Sequence, residues 1–319
     1  MDIFEFGYEK LCSMADETEK VIVGKRKEIE LLFTALLSGG HVLIEDIPGT
    51  GKTTLAEALS KVCGLSYNRA QFTPDVTASD ITGFNMYNRH TEKFEFVNGL
   101  AMCNILLADE INRAAPRTQS ALLEAMEERK VTVDGTAYKL PDPFFVIATQ
   151  NPCGFVGTYP LPEAQLDRFS VRMSLGYPSF EDEVRLVADR KTENPMDTVN
   201  KITDENEMRA MIRAVSLIRI DERIYRYIVT LVTATRSDER VEVGASPRAS
   251  IVVSKMAQAV AFMNGRRHVI PEDVASVFLP AVTHRITVKR ESRLEGVTAA
   301  AVLNDIMKNT AVPSVRAMR

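Results

Sequence analysis

Apolar and polar positions alternate along this chain on two different periods. Short continuous apolar runs, bounded by glycine or polar turns, read as buried strands at Val42 to Glu45, Tyr67 to Gln71, Ile105 to Ala108, Phe144 to Thr149 and Val171 to Leu175. Between them lie helical patterns at Lys25 to Leu37, closed by Gly39 and Gly40, and at Thr53 to Cys63, closed by Gly64. Strands alternating with helices predict a parallel, doubly wound α/β sheet. Beyond Gly176 to Pro178 the strand signal fades. Helices are expected at Glu181 to Asp189, Asp204 to Leu217, Asp221 to Thr235, Pro247 to Asn264 and Pro271 to Thr283. Met256, Ala259, Val260 and Met263 share one helical face. The chain therefore divides into an α/β domain, residues 1–178, and an all-α domain, residues 179–319.

Two inserts interrupt the first domain. Residues 81–99 carry Phe84 and Met86, then Phe94 and Phe96, around the polar turn Asn88 to Thr91, a hairpin built into the helix that follows the second strand. Residues 131–138 form a second hairpin, with Asp134 and Gly135 as a type I′ turn. Loops displayed on a rigid scaffold are where partners are usually met.

The chemistry gathers at strand ends. After His41 to Ile44 comes Glu45 to Thr54, a lysine-bearing turn leading into a helix. Backbone N–H groups that converge on polyphosphate leave no room for side chains, which Gly49 and Gly51 accommodate. Lys52 adds a positive charge near the β- and γ-phosphates, Thr53 offers a hydroxyl to Mg²⁺, and the helix aims its N-terminal dipole at the same anion. Asp46 stands where the generic phosphate-loop spacing has its first glycine. At Asn104 to Glu110 an apolar strand ends in two carboxylates: Asp109 suits a metal shell, and Glu110 suits polarising an attacking water. The strand Phe144 to Thr149 leads through Gln150 to Asn151, a neutral amide able to align water and γ-phosphate. Ser246 is expected to cap a helix with Pro247 at its first position, which sets Arg248 in the first turn.

Composition narrows the classes. With 319 residues and 45% hydrophobic content, two cores are affordable. No stretch reaches membrane-spanning length, and the start has no cationic segment followed by a long apolar one, so a cytoplasmic protein is expected. Cys12, Cys63, Cys103 and Cys153 are scattered, which argues against a disulfide frame or zinc site. A net charge of −4 speaks against a broad nucleic-acid face.

In combination, EDIPGTGKTTLAEAL, QFTPDVTASDITG, LLADEINRAAPRTQSALLEAMEE, FFVIATQNP, YPLPEAQLDRF and GASPRA resemble the MoxR family of AAA+ ATPases, from about Val23 to His284. Asp46 is what that family commonly shows. The resemblance implies a P-loop core with strand order 5-1-4-3-2, an insert in helix 2, a helical lid and a ring, expected to be a hexamer. It implies ATP and Mg²⁺ as ligands. Val23 and Gly24 would form the adenine-side hinge, joined in the nucleotide-binding set by Asp46, Pro48, Gly49, Thr50, Gly51, Lys52, Thr53 and Thr54. Thr53 and Asp109 would hold the metal, Asp109 and Glu110 would form the Walker B pair, and Asn151 would be sensor 1. Arg168 matches the arginine finger that reaches a neighbour's γ-phosphate, and Arg248 matches sensor 2, with its action on its own or a neighbouring nucleotide left open. Arg113 and Arg117 precede an interface-type helix and are weaker trans candidates. The implied function is ATP-driven remodelling of protein clients or adaptors, including ones with von Willebrand factor A domains. Alternatives are a magnesium-chelatase-like metal-insertion subunit, a nucleic-acid motor and a nucleotide-gated scaffold; Glu110 argues against the last.

Overall fold

The computed structural model describes residues 3–151, 158–189 and 195–314. Five strands, β1 (Val42–Glu45), β2 (Tyr67–Gln71), β3 (Ile105–Asp109), β4 (Phe145–Gln150) and β5 (Val171–Met173), form one sheet in the order β2-β3-β4-β1-β5. Every pairing in it is parallel. This is the 5-1-4-3-2 order expected from the resemblance.

Side-chain alternation splits the sheet between two cores. Val42, Ile44, Ile105, Leu107, Phe145 and Ile147 enter a large cluster shared with the C-terminal helices. Leu43, Leu106, Ala108, Val146 and Ala148 enter a smaller one, completed by Leu122, Leu123 and Met126 of the helix Pro116–Glu128. With apolar packing on both faces, the central strands must read as unbroken hydrophobic runs.

Four features depart from the sequence reading. Strand β5 ends at Met173 rather than Leu175, because the backbone N–H groups of Leu175 and Gly176 turn to the Asp46 carboxylate instead of the ladder. A first helix, Ile3–Glu19, precedes the elements expected from the sequence and buries Leu11, Met14, Ala15 and Thr18. Phe4 meets Phe262 edge-on at 5.8 Å, and a Cβ on Gly7 would lie 2.3 Å from Phe262 Cζ, so only glycine lets the helix pass. The C-terminal region is not purely helical: Val241–Val243 pairs antiparallel with Thr287–Val288 between its helices. Finally, the helix Ala78–Thr82 before the first hairpin spans only 5 residues, and the chain returns from the hairpin to β3 through Gly99 to Asn104 without resuming it.

The hairpins pair Gly83–Asn88 with Lys93–Asn98 and Lys130–Val133 with Thr136–Lys139. Asp134 (φ 48°) and Gly135 (φ 78°) both take the left-handed conformation a type I′ turn demands. The lid helices Glu205–Ser216, Glu222–Ser237, Pro247–Met263 and Pro271–Val282 pack around Met208, Leu231, Met256 and Phe278. No helix among the described residues is long and apolar enough to cross a membrane. Cys12, Cys63 and Cys103 are free, while Cys153 lies outside the described residues. Burial pushes the Cys63 thiol up and that of Cys103 to about 12, so both are inert packing groups.

Candidate nucleotide site and an opposing arginine pair

Strand β1 delivers the phosphate loop to the C-terminal edge of the sheet, where Asp46 N donates to Gln150 O at 3.1 Å. Gly49 (φ 89°) and Gly51 (φ 88°) hold backbone that other residues adopt only under strain. A Cβ built on Gly49 meets no atom within 4 Å, so the concavity over the loop is free for an anion. Helix Lys52–Cys63 starts there, bringing Lys52, Thr53 and Thr54 to its first turn. Lys52 Nζ donates to Asp46 O (3.0 Å) and Ile47 O (2.8 Å), and burial lowers its pKa despite the nearby Asp46, Asp109 and Glu110. The Asp46 carboxylate bridges the loop and the exit of β5. Oδ2 accepts N–H from Leu175 (2.8 Å) and Gly176 (2.7 Å), and Oδ1 accepts from Ile47 (3.0 Å). Its side chain thus braces the loop against the segment that follows β5.

The two acids lie at the end of β3. Asp109 Oδ1 accepts from Thr149 Oγ1 at 2.7 Å, and Thr149 Oγ1 in turn accepts from Glu110 N at 2.8 Å, which locks β3 to β4 at the point of use. Asp109 Oδ2 pairs with Arg69 Nη2 at 2.7 Å. Glu110 sits in the left-handed region (φ 57°), a conformation that costs a non-glycine residue free energy and is typical of functional sites. Its Oε2 accepts from Gln71 Nε2 (3.1 Å) and Arg113 Nη1 (2.8 Å). Asn151 follows β4, whose Gln150 stands in register with Glu45 beside the loop. Gly24 (φ 72°) passes the helix Phe180–Asp189 so closely that a Cβ would lie 2.2 Å from Asp182 Oδ2. No group of three His, Cys, Asp or Glu suited to a metal occurs among the described residues. One carboxylate and one hydroxyl, Asp109 and Thr53, fit an ion such as Mg²⁺ that keeps its waters and takes its remaining ligands from phosphate.

Arg168 and Arg248 occupy the opposite edge. Arg168 precedes β5, whose Val171 pairs with Val42 at the start of β1, and Ser170 N donates to His41 O at 2.8 Å. Because β1 and β5 are parallel, Arg168 stands at the end of the sheet away from Lys52. Arg248, on the lid helix Pro247–Met263, reaches the same place: Glu127 Oε2 lies 3.3 Å from Arg168 Nε, and Glu127 Oε1 lies 3.0 Å from Arg248 Nη2. The three residues line a cavity of about 380 Å³ together with Arg129, Ile251 and Lys255. Asp167 ties this corner together by accepting from Arg285 Nε (2.7 Å) and Ser246 Oγ (3.2 Å). The Ser246 hydroxyl is thereby diverted from the capping bond expected of it. Arg113 remains on its own Glu110, and Arg117 faces the cleft between the hairpins.

Comparison with known proteins decides the family. Residues 41–171 match the ATPase family associated with various cellular activities (AAA), and residues 233–306 match the AAA lid domain. The chain is 46% identical over 306 residues to the YeaC protein of Bacillus subtilis, covering 96% of each chain. It is 37% identical to the chaperone MoxR1 of Mycobacterium tuberculosis, covering 95% of this chain and 82% of that protein. A crystal structure from Cytophaga hutchinsonii superposes with a TM-score of 0.90 at 36% identity, covering 98% of this chain and 97% of that one. The chain belongs to the MoxR family of AAA+ ATPases. It is an enzyme that binds nucleotide and hydrolyses ATP.

In this MoxR-family ATPase several polar residues around the two centres went unnoticed in the sequence. Arg69 and Gln71 alternate along β2 beside buried Ala70, so their side chains leave the strand on the face that meets Asp109 and Glu110. Polar residues at the C-terminal end of a neighbouring parallel strand were the available signal. Thr149, Glu127 and Asp167 gave none, since their partners are distant in sequence.

Proposed function

We propose that this ATPase works as a ring, expected to be a hexamer, in which each nucleotide held by one copy is completed by Arg168 and Arg248 of the next, and that the cycle remodels protein clients. The observation that carries this reading is the position of both arginines, at the end of the sheet away from Lys52 and on a shared carboxylate. A site split between opposite faces makes a heterologous contact, which closes only as a ring or continues as a spiral. It also favours trans action for Arg248, because its helix is fixed to the finger corner through Ser246 and Asp167.

Within one copy, backbone N–H groups from Gly49 to Thr54 cradle the phosphates, with Val23 and Gly24 at the base. Lys52 exchanges its two loop carbonyls for β- and γ-phosphate oxygens. Mg²⁺ bound through Thr53 and Asp109 would neutralise charge on those oxygens. Glu110 polarises the attacking water once it releases Gln71 and Arg113, and Asn151 aligns that water with the γ-phosphorus. An arginine supplied in trans is worth about 10³–10⁵ in rate, or roughly 4–7 kcal/mol of barrier. Hydrolysis is thereby made conditional on assembly.

The hairpins are the parts that face clients. Phe84, Met86, Tyr87 and Phe94 are exposed on the first, with Phe94 at 73%. The name of the mycobacterial relative, a chaperone, agrees with protein clients or adaptors; that some carry von Willebrand factor A domains rests on the family resemblance alone.

The test mixes Arg168→Ala protomers, which keep a phosphate loop, with Lys52→Ala protomers, which keep a finger. Each alone should be inactive, and the mixture should regain turnover at composite interfaces. No recovery despite co-assembly shown by native mass spectrometry would overturn the reading.

A further inference from the structure

Among the described residues, Glu127 is the only acid lining the 380 Å³ cavity, whose cations are Arg129, Arg168, Arg248 and Lys255. The Arg129 guanidinium is already committed, donating to the carbonyls of Gly39 and Phe144. The other two arginines come from separate parts of the chain and converge on one anion with one oxygen each, at 3.3 and 3.0 Å. Two guanidinium groups held this close repel unless an anion lies between them. A phosphoryl group, offering several oxygens in the same spread, belongs to the same class of acceptor as a carboxylate. The pairs are also open to exchange: the side chains of Glu127, Arg168 and Arg248 are 39%, 32% and 40% exposed.

We propose that Glu127 is the resident counter-ion of the trans arginines, a positioning residue that gathers Arg168 and Arg248 in the free protomer and yields them to the nucleotide phosphate of the neighbouring copy. This rests on the reading that those arginines serve the adjacent site. Glu127 presets their spacing through two carboxylate oxygens, of which glutamine keeps one acceptor, so Glu127→Gln removes the charge while leaving part of the positioning. It also competes with the incoming phosphate, so the interface forms fully only when a triphosphate is present to displace it.

The proposal is tested with acceptor protomers carrying Arg168→Ala and Arg248→Ala, which retain a phosphate loop, titrated with donor protomers that all carry Lys52→Ala. Donors have either Glu127 or Glu127→Gln, and a donor with Arg168→Ala is the control. Removing the competing charge should let the Glu127→Gln donor reach half-maximal stimulation of ATP turnover at about two- to fivefold lower concentration, the range expected for an exposed ion pair. The gap should narrow as salt is raised. A gain of this kind is not produced by loss of a structural contact. Equal or weaker stimulation by the Glu127→Gln donor, with folding verified by its unfolding midpoint, overturns the proposal while leaving trans donation intact. Failure of every donor to stimulate removes trans donation and the proposal together.

Discussion

Asp46 Oδ2 accepts the backbone N–H of Gly176 at 2.7 Å, a bond that joins the first residue of the phosphate loop to a segment 130 residues later. With Leu175 N at 2.8 Å and Ile47 N at 3.0 Å, the buried carboxylate holds the loop and the exit of β5 in one arrangement. Glycine at this position would leave the loop able to bind phosphate but detached from the chain entering the lid.

Asp46→Ala strands three backbone donors, those of Ile47, Leu175 and Gly176, at a site that is only 6% exposed. Hydrogen bonds to a charged acceptor contribute about 1.5–3 kcal/mol each, less when water can reach the freed donors, so a loss of about 2–4 kcal/mol is expected. Asp46→Asn keeps one acceptor oxygen and should lose less. Urea unfolding curves of the three proteins measure this, and an alanine variant as stable as the parent would show that the brace contributes nothing.

Glu110→Gln should retain ATP affinity while turnover falls at least about 100-fold, the usual worth of a positioned base. Glutamine preserves the shape at φ 57° and the oxygen that accepts from Gln71 and Arg113. Calorimetry with ATP and a phosphate-release assay separate the two effects. Parental turnover by this variant would remove Glu110 from the chemistry.

The sheet was legible because strands buried on both faces carry continuous apolar runs, as Val42 to Ile44 and Ile105 to Ala108 do. Helix Ile3–Glu19 was missed although Leu11, Met14, Ala15 and Thr18 follow helical spacing. Its apolar stripe is interrupted by acids, and the surface that buries it is assembled from distant parts of the chain, helices Arg26–Leu37 and Lys52–Cys63 of the first domain and Glu205–Ser216 and Pro247–Met263 of the lid. In the candidate site, single-residue chemistry could be read directly: a lysine after glycines, acids ending a strand. Pairings could not. Arg248 and Glu127 are 121 residues apart, and no local pattern signals that they meet. The same holds for Asp46 and Gly176, which meet across 130 residues.

The two hairpins are joined to each other. Phe96 and Tyr138 stack with centroids 3.8 Å apart at 10°, and Asn85 Nδ2 donates to Asp134 Oδ2 at 2.8 Å. An aromatic pair contributes about 0.5–1.5 kcal/mol beyond burial. Tyr138→Ala should therefore speed amide exchange across residues 83–98 by roughly 2- to 10-fold while ATP turnover stays at the parental level. Hydrogen-exchange mass spectrometry reads the first effect. Unchanged protection of the first hairpin would mean that the hairpins move independently.

Stability should fall on acidification through two buried neutral histidines. His284 Nε2 donates to Phe169 O at 2.9 Å, and burial, with Arg285 and then Arg172 adding repulsion, pushes its pKa down to about 3. His41 is shifted in the same direction by burial and by Arg129, its ring bridging Met126 O and Val146 N. The unfolded chain binds protons at these positions from about pH 6.5 downward while the folded chain does not, so their contribution is complete above pH 6.5 and is lost as pH falls toward 3. Each group adds at most about 1.4 kcal/mol per pH unit to the slope. His284→Gln keeps a donor for Phe169 O but cannot titrate, and should flatten the pH dependence between 5.5 and 4.5 by about that amount. Urea unfolding at several pH values measures the slopes, and equal slopes for parent and variant would mean that His284 is already protonated in the folded protein.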